Sequence, residues 1–200
     1  MSEFHARKLL VATPLIDDGN FDHTVVLLLE HTAEGAVGLV LNRPSTLVVA
    51  ELLTGWEDVP GVLYSGGPVS PESLIGLARE WPDCSESGWK RILDDVGSVD
   101  LSLGAEQLAG RPGLRLFFGY AGWDANQLDG EIAAGAWFVV DPEPGDVLTD
   151  DAIRAFSQWR GSLWVAGTRP GRRLSLCGCT SSIASGTDGS RGGQQPPLLA

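Results

Sequence analysis

The stretch TVVLLLEHTAEGAVGLVLNRPS, Thr24 to Ser45, contains two apolar runs that indicate how the first strands pair. Its two apolar runs, Thr24 to Leu29 and Ala36 to Leu41, have the length and the valine and leucine content of buried strands. The six residues between them are too few for a parallel crossover, which needs about a dozen. The sequence therefore predicts an N-terminal antiparallel hairpin.

Further elements follow from periodicity and chain breakers. Strands are predicted at Leu9 to Thr13, Val62 to Tyr64, Leu114 to Phe118 and Ala136 to Val140, with a weaker candidate at Val99 to Leu103. Helices are predicted at Leu47 to Leu53, Asp124 to Ala134 and Asp150 to Trp159. The strands on either side of the second helix form the pattern of a right-handed parallel βαβ unit. The fold class is α/β (α+β), with a mixed sheet and flanking helices.

The domain organisation follows from length and composition. Two hundred residues with 43% apolar content suffice for one domain, predicted to span residues 1–166. The remaining segment, 167–200, is rich in glycine, serine and proline, has no amphipathic period, and is predicted to be disordered.

A soluble cytoplasmic protein is expected. The apolar runs are far shorter than the roughly 18 to 20 residues that a bilayer requires, and the N-terminus lacks the apolar core of a signal peptide. Three cysteines, Cys84, Cys177 and Cys179, fit a reducing compartment better than a disulfide framework. Because Cys177 and Cys179 have no second cysteine pair near them, no metal or other cofactor is expected.

The net charge of −12 limits the partners. The only lysines are Lys8 and Lys90, so there is no basic stripe that could neutralise phosphates. This charge argues against direct binding of nucleic acid or of an anionic membrane.

Three blocks of sequence resemble the signatures of the YqgE/AlgH family in order and spacing. They are LLVATPLIDDGNFDHTVVLLLEHTAEGAVGLVLNRPS (Leu9 to Ser45), SGGPV (Ser65 to Val69) and GYAGWDANQLDGEIAAGAW (Gly119 to Trp137). The resemblance ends after Trp164. It implies a bacterial protein with a compact α/β fold and a bent, partly split sheet. Molecular activity in this family is uncharacterised, some members are labelled transcriptional regulators, and the resemblance implies no catalytic residues.

Two motifs of the first block partly match a metal site and an acid–base site. The loop DDGNFDH, Asp17 to His23, alternates oxygen ligands as a calcium loop does, but it lacks the glycine and the bidentate glutamate of such a loop. His31 could act as a general base oriented by the neighbouring carboxylate of Glu30. However, the sequence contains no recognised nucleophile or zinc motif such as G-x-S-x-G or H-E-x-x-H. A solvated loop and a hydrogen-bonded turn histidine are the favoured interpretations.

Two further motifs suggest a ligand site. Pro44 biases Arg43 away from helix, and Asn42 is expected to cap the strand end by bonding its own neighbouring backbone, which leaves Arg43 as a fixed cationic fork. Arg43 then either recognises an anionic ligand or pairs with an internal acid, and the internal pair is favoured. In SGGPV, Gly66 and Gly67 allow a close approach of backbone, with a tight structural turn as the default.

The third block is predicted to contain a strand, a glycine turn and a helix. Gly119 and Gly122 are expected to make the turn, and Asp124 is expected to lie in the first turn of the helix, where it caps the free amides. Leu128 and Ile132 should face the sheet, with Gly135 ending the helix. A separate stripe of Asp124, Gln127 and Glu131 either serves structure, which is favoured, or contacts a cation, a polar ligand or Arg43.

Two functions remain open. The first is a non-catalytic regulatory or protein-interaction module that acts through a protein partner and does not bind DNA directly. It rests on the lack of a catalytic constellation and on tryptophans available for an interface: Trp56, Trp81, Trp89, Trp159 and Trp164. The second is a binder of a small anionic or polar molecule, or an unrecognised enzyme. Its site would contain Asn42, Arg43, Gly66, Gly67 and the Pro68 turn, joined by Asp124, Gln127 and Glu131.

Overall fold

The computed structural model describes residues 4–49, 53–56, 63–84, 88–143 and 145–149. Within these ranges the chain forms nine strands, two short helices and a 3₁₀ turn. The strands are β1 (Leu9–Ala12), β2 (Val25–Thr32), β3 (Gly35–Val40), β4 (Leu63–Ser65), β5 (Val69–Arg79), β6 (Trp89–Leu93), β7 (Val96–Val99), β8 (Arg115–Asp124) and β9 (Trp137–Val140). The helices are α1 (Ala105–Leu108) and α2 (Gln127–Ala133), and the 3₁₀ turn is Leu101–Leu103.

The strands build one curled sheet in the order β6-β7-β5-β8-β3-β2-β1-β9, while β4 pairs with β8 beside this path. Alternate residues of a strand face opposite sides. Thus Leu9 and Val11 enter one core cluster, while Leu10 and Ala12 enter another, which α2 covers. The first cluster also takes residues from β5 and β7, because the curl brings both halves of the sheet around one interior. A third cluster packs α1 against the outer face of β5, β7 and β8.

The predicted hairpin is confirmed. β2 and β3 pair antiparallel from Val26 opposite Val40 to Thr32 opposite Gly35, with a bulge after Leu28. Gly35 has a φ of +145°, and a Cβ atom there would lie 2.3 Å from the carbonyl oxygen of Trp123. Glycine at this position therefore lets β3 lie close against β8.

The predicted βαβ unit is parallel, but its two strands are not neighbours. Four antiparallel steps lead from β8 through β3, β2 and β1 to β9, so β8 and β9 run in the same direction with three strands between them. The predicted glycine turn is wrong, because β8 continues through Gly119 and Gly122 to Asp124. Helix α2 begins at Gln127 and carries Asp129, not Asp124, in its first turn.

The end of α2 follows the prediction. Gly135 has a φ of +79°, and its N–H donates to the Ile132 carbonyl while the Ala136 N–H donates to the Glu131 carbonyl. This pair of bonds is the Schellman arrangement that a glycine after a helix permits. Leu128 is buried against the sheet and Ile132 packs beside it, as predicted.

The sheet splits where β4 enters it. β3 pairs with β8 only from Gly35 to Gly38, after which β4 occupies the place beside β8 in parallel register. The chain that follows β3 then runs along the other side of β4, through a bridge from Pro44 to Tyr64 and a bond from the Ser45 N–H to the Leu63 carbonyl. Leu47 and Val48, predicted as helix, are irregular, whereas the Leu53 N–H donates to the Val49 carbonyl at 2.9 Å. Residues 50–52 of the predicted helix lie outside the described residues.

Sequence reasoning missed or misplaced other elements. Strands β5 and β6 were not predicted, and the weak strand at Val99 to Leu103 is instead the end of β7 followed by the 3₁₀ turn. That turn begins behind Asp100, whose carboxylate accepts hydrogen bonds from Ser102, and these bonds hold the pKa of Asp100 below its ordinary value. The predicted helix Asp150 to Trp159 and the segment 167–200 lie outside the described residues.

Candidate functional site

Asn42 joins the end of β3 to the start of β2. Its side-chain oxygen accepts from the Val25 N–H at 2.9 Å, and its amide nitrogen donates to the His23 carbonyl at 2.8 Å. The expectation that Asn42 bonds its own neighbouring backbone is wrong, because the hairpin places the start of β2 within reach of the side chain. Asn42 therefore closes the open end of the hairpin.

Arg43 pairs with an acid of the same chain, as the favoured prediction stated. Its Nη2 atom donates to Oδ1 of Asp22 at 2.9 Å and lies 3.3 Å from the carbonyl oxygens of Gly19 and Asp22. One third of the Arg43 side chain is exposed. The guanidinium thus ties the loop before β2 to the segment after β3.

A small cavity of about 160 Å³ adjoins this ion pair. Asp22 lines it, together with Thr13, Asp17 and His23. The loop itself is a hydrogen-bonded turn, since Oδ1 of Asp18 accepts from the N–H groups of Asn20 and Phe21. Across the described residues, no three histidine, cysteine or acidic side chains are grouped to hold a metal ion.

The Gly66–Gly67 turn packs against β8. A Cβ atom on Gly67 would lie 2.2 Å from the backbone of Tyr120, and one on Gly66 would lie 2.4 Å from the Gly119 carbonyl oxygen. The Ser65 N–H donates to the Arg43 carbonyl at 2.9 Å, so the turn and Arg43 are brought side by side. The backbone of β8, and not open space, occupies the volume that the two glycines leave.

The polar stripe is a hydrogen-bonded cluster that fixes α2. Oε2 of Glu131 accepts from the indole nitrogens of Trp123 at 3.0 Å and Trp137 at 2.7 Å, and Oε1 accepts from Gln127 at 3.0 Å. The Gln127 side-chain oxygen accepts in turn from the backbone N–H of Asp124 at 2.9 Å. The ring of Phe21 packs against both tryptophans.

The predicted site residues fall into two separate groups. Gly35, the first residue of β3, lies opposite Asp124, whereas Asn42 and Arg43 follow the last residue of the same strand. Asn42, Arg43, Gly66 and Gly67 therefore share one end of β3, and Asp124, Gln127 and Glu131 lie at the other.

His31 has partners that sequence reasoning missed. Its Nδ1 accepts from the backbone N–H of His5 at 3.1 Å, and its Nε2 lies 3.5 Å from Oδ1 of Asp129. Its side chain is 4% exposed, while the neighbouring Glu30 is exposed on the surface. Because both ring nitrogens have partners, the arrangement suits anchoring of the N-terminal segment and of α2, and not proton transfer to a substrate.

The tryptophans proposed for an interface are buried where they are described. Trp56, Trp81 and Trp89 all belong to the third core cluster. The expectation of surface tryptophans is wrong for these three, since each fills the space between the sheet and its covering segments. Trp159 and Trp164 lie outside the described residues. Among the described residues, the exposed large apolar side chains are Phe4, Leu15, Leu47 and Val48.

No helix in the described ranges has the length and apolar character needed to cross a membrane.

The chain resembles known proteins along most of its length. A family model described as AlgH-like matches residues 9–167. A UPF0301 protein of Streptomyces avermitilis is 49% identical over 161 residues, which cover 76% of this chain and 82% of that protein. A UPF0301 protein of Thermobifida fusca is 40% identical over 158 residues, covering 72% of this chain and 79% of that one.

Two solved structures share the fold. A crystal structure of a protein from Corynebacterium diphtheriae superposes with a TM-score of 0.68 at 27% identity, covering 79% of this chain and 86% of the other. The solution structure of AlgH from Pseudomonas aeruginosa gives a TM-score of 0.61 at 27% identity, covering 84% and 99%.

Proposed function

Because the chain belongs to the AlgH-like family of uncharacterised bacterial proteins, we propose its function from its own geometry: it is a non-catalytic regulatory or protein-interaction module. One observation carries this proposal. The side chains of Arg43, Gln127 and Glu131, which the sequence offers as ligand-binding groups, are bonded within the fold, whereas a catalytic site needs polar groups aimed at a substrate.

The internal bonds account for the motif residues individually. Arg43 binds Asp22, Asn42 binds the start of β2, and Glu131 accepts from two indoles. His31 uses both of its ring nitrogens. The blocks are thereby explained as devices that hold the sheet together.

The charge supports a protein partner over nucleic acid. The net charge of −12 and the presence of only two lysines leave no basic stripe for a phosphate backbone. A regulatory role in transcription would therefore operate through a bound protein. A gel-shift titration at low salt that gave tight, salt-sensitive binding to a defined duplex would contradict this part of the proposal.

A second candidate, a small-molecule binder, is favoured by the cavity beside Asp22. At about 160 Å³ it is smaller than the roughly 300 Å³ at which ordinary ligand pockets begin, so it suits a ligand of a few heavy atoms. Such a ligand would compete with the Arg43–Asp22 pair at the Asn42 end of β3. The group of Asp124, Gln127 and Glu131 would bind a separate ligand, since it lies at the other end.

A thermal-shift screen against metabolites and nucleotides separates the two functions. Ligand binding raises the unfolding temperature with ligand concentration. For an interaction module we expect no compound to give a saturable rise, and cross-linking in lysate to recover a specific protein. A saturable rise that Arg43→Ala abolishes, while the control Arg111→Ala retains it, would replace the proposal by the small-molecule binder.

A further inference from the structure

Along the outer edge of β6, main-chain groups lack a partner among the residues that the structure describes. The Asp100 N–H donates to the Gly88 carbonyl at 3.1 Å, and Lys90 lies opposite Ser98 in the same ladder. Because the main-chain groups of an antiparallel strand alternate in direction, those of Trp89 and Arg91 point away from β7. No hydrogen bond among the described residues uses these N–H and C=O groups. An edge of this kind is a template for a further strand.

A cavity of about 920 Å³ lies along this edge. It separates the segment Glu80 to Cys84, which leaves β5, from Trp89 and Arg91 of β6. This space is a depression open to solvent and not an enclosed pocket. The edge therefore offers both main-chain partners and room for a side chain next to them.

The wall of the cavity is fixed by the fold. Trp89 lies over Gly97, where a Cβ atom would come within 2.3 Å of its ring, and its indole N–H donates to the Ala78 carbonyl at 3.1 Å. Arg91 lies 5.3 Å from the centre of that ring, and Nη2 of Arg91 bonds both carboxylate oxygens of Glu80 at 2.9 Å. A partner thus meets a preformed surface in which Arg91 is already neutralised by Glu80, and this order lowers the entropic cost of binding.

The charge of Lys90 indicates which kind of strand could add to the β6 edge. Lys90 is exposed, lies on the opposite face of β6 from Trp89 and Arg91, and enters none of the ion pairs found between described residues. A second copy of β6 added antiparallel in the register centred on Lys90 would place the two Lys90 side chains opposite one another, which is unfavourable. A carboxylate at the position opposite Lys90 would instead be attracted.

We propose that the β6 edge, Trp89 to Arg91, binds an extended acidic peptide of a partner protein by strand addition. The peptide pairs with the free main-chain groups of Trp89 and Arg91, places a carboxylate against Lys90, and covers the cavity with the apolar residues on either side of that carboxylate. This inference rests on the proposed function, since it names the surface through which the interaction module acts.

The test is selection of a random ten-residue peptide library against the full chain. We expect enrichment of peptides in which an acidic residue alternates with apolar ones, and protection of the Trp89 and Arg91 amides from hydrogen exchange in the complex. Methylation of alternate peptide nitrogens should weaken binding about tenfold or more when it removes the donors that face β6.

Three variants sharpen the result. Lys90→Glu should reverse the preference to basic peptides, whereas Lys8→Glu, an identical change of net charge beside the other edge of the sheet, should leave it acidic. Arg91→Pro removes an outward N–H, which an edge strand tolerates, and should weaken binding about tenfold. Circular dichroism establishes that each variant is folded before its binding is compared.

The inference is overturned if no peptide class is enriched, if methylation has no effect, or if Lys90→Glu leaves the acidic preference unchanged. Any of these results would leave the charged side chains of β6 with the sole role of preventing edge-to-edge aggregation. The proposed function survives such a result when a partner cross-linked in lysate binds Lys90→Glu and wild type equally. The proposed function is contradicted by a different result, namely a metabolite that raises the unfolding temperature in the thermal-shift screen.

Discussion

Removal of the Glu131 carboxylate is expected to loosen α2 and both tryptophans beneath it. The carboxylate accepts from the indole nitrogens of Trp123 and Trp137 and from Gln127. Both indole rings are buried, so alanine at position 131 leaves two donors without their acceptor. Glutamine keeps one acceptor oxygen and places an amide where the other oxygen accepted.

The magnitude follows from the number of bonds lost. A buried donor without its partner costs about 1–3 kcal/mol. Glu131 is only partly buried, so water reaches the vacated position and the lower half of that range applies to each indole. We therefore expect Glu131→Ala to lower the free energy of unfolding by about 2–4 kcal/mol and Glu131→Gln by about 1–2 kcal/mol.

Urea denaturation followed by circular dichroism measures this change, and calorimetry gives the matching shift in Tm. For a domain of about 150 residues, 1 kcal/mol corresponds to about 2–4 °C, so Glu131→Ala should lower Tm by about 4–16 °C. The control is Glu106→Ala, which removes an exposed carboxylate from α1 and should change stability by no more than about 0.5 kcal/mol.

A double-mutant cycle ties the loss to the indole bonds. Trp137→Phe removes one of the two donors, so Trp137→Phe and Glu131→Ala together should cost less than the sum of the single changes, by about 0.5–3 kcal/mol. Strict additivity, or a Glu131→Ala protein within about 0.5 kcal/mol of wild type, would show that the carboxylate does not hold the two rings.

Three further substitutions test the packing of the signature blocks. Gly67→Ala places a Cβ atom 2.2 Å from the Tyr120 backbone at a φ of +153°, so it should destabilise by about 3 kcal/mol or more, or prevent folding; recovery of a folded protein of near wild-type Tm would contradict this packing. Gly130→Ala, in α2 with nothing within 4 Å of the added Cβ, should instead raise the free energy of unfolding by about 0.5–1 kcal/mol, and a loss of stability would be the contrary result. Asn42→Ala should cost about 1–3 kcal/mol and speed hydrogen exchange at the Val25 amide, whereas unchanged exchange there would dismiss the bond to β2.

The hairpin was predictable because its evidence is local. Two apolar runs joined by a short connection admit few other structures. The strands extend further than predicted, so that only Ala33 and Glu34 connect them and His31, expected in a turn, lies in β2. Strand β5 was hidden because Pro71 and Glu72 stand near its start. The structure accommodates them in an irregularity, since β5 pairs with β8 at Val69 and then again only from Leu74. Proline within a strand is tolerated where the ladder is interrupted.

The third block misled for a physical reason. Gly119 and Gly122 suggest a turn, but Gly119 is glycine because the carbonyl oxygen of Gly67 lies 2.5 Å from where its Cβ atom would be. A contact between distant parts of the chain leaves no local pattern. His31 is a similar case, because His5 and Asp129 come from separate elements and only the assembled sheet brings them to its ring.

The positions of the internal bonds bear on where function lies in this family. The first and second blocks are in contact where the Ser65 N–H donates to the Arg43 carbonyl. The second and third blocks are in contact where Gly67 packs on the backbone of Tyr120. The third and first blocks are in contact where the ring of Phe21 packs on Trp123. All three blocks are thus used in holding one sheet together. The β6 edge lies between the second and third blocks and outside both, so relatives that share the blocks are free to differ there. If the edge binds an acidic peptide, relatives with an acidic residue in place of Lys90 should select basic peptides on an unchanged fold.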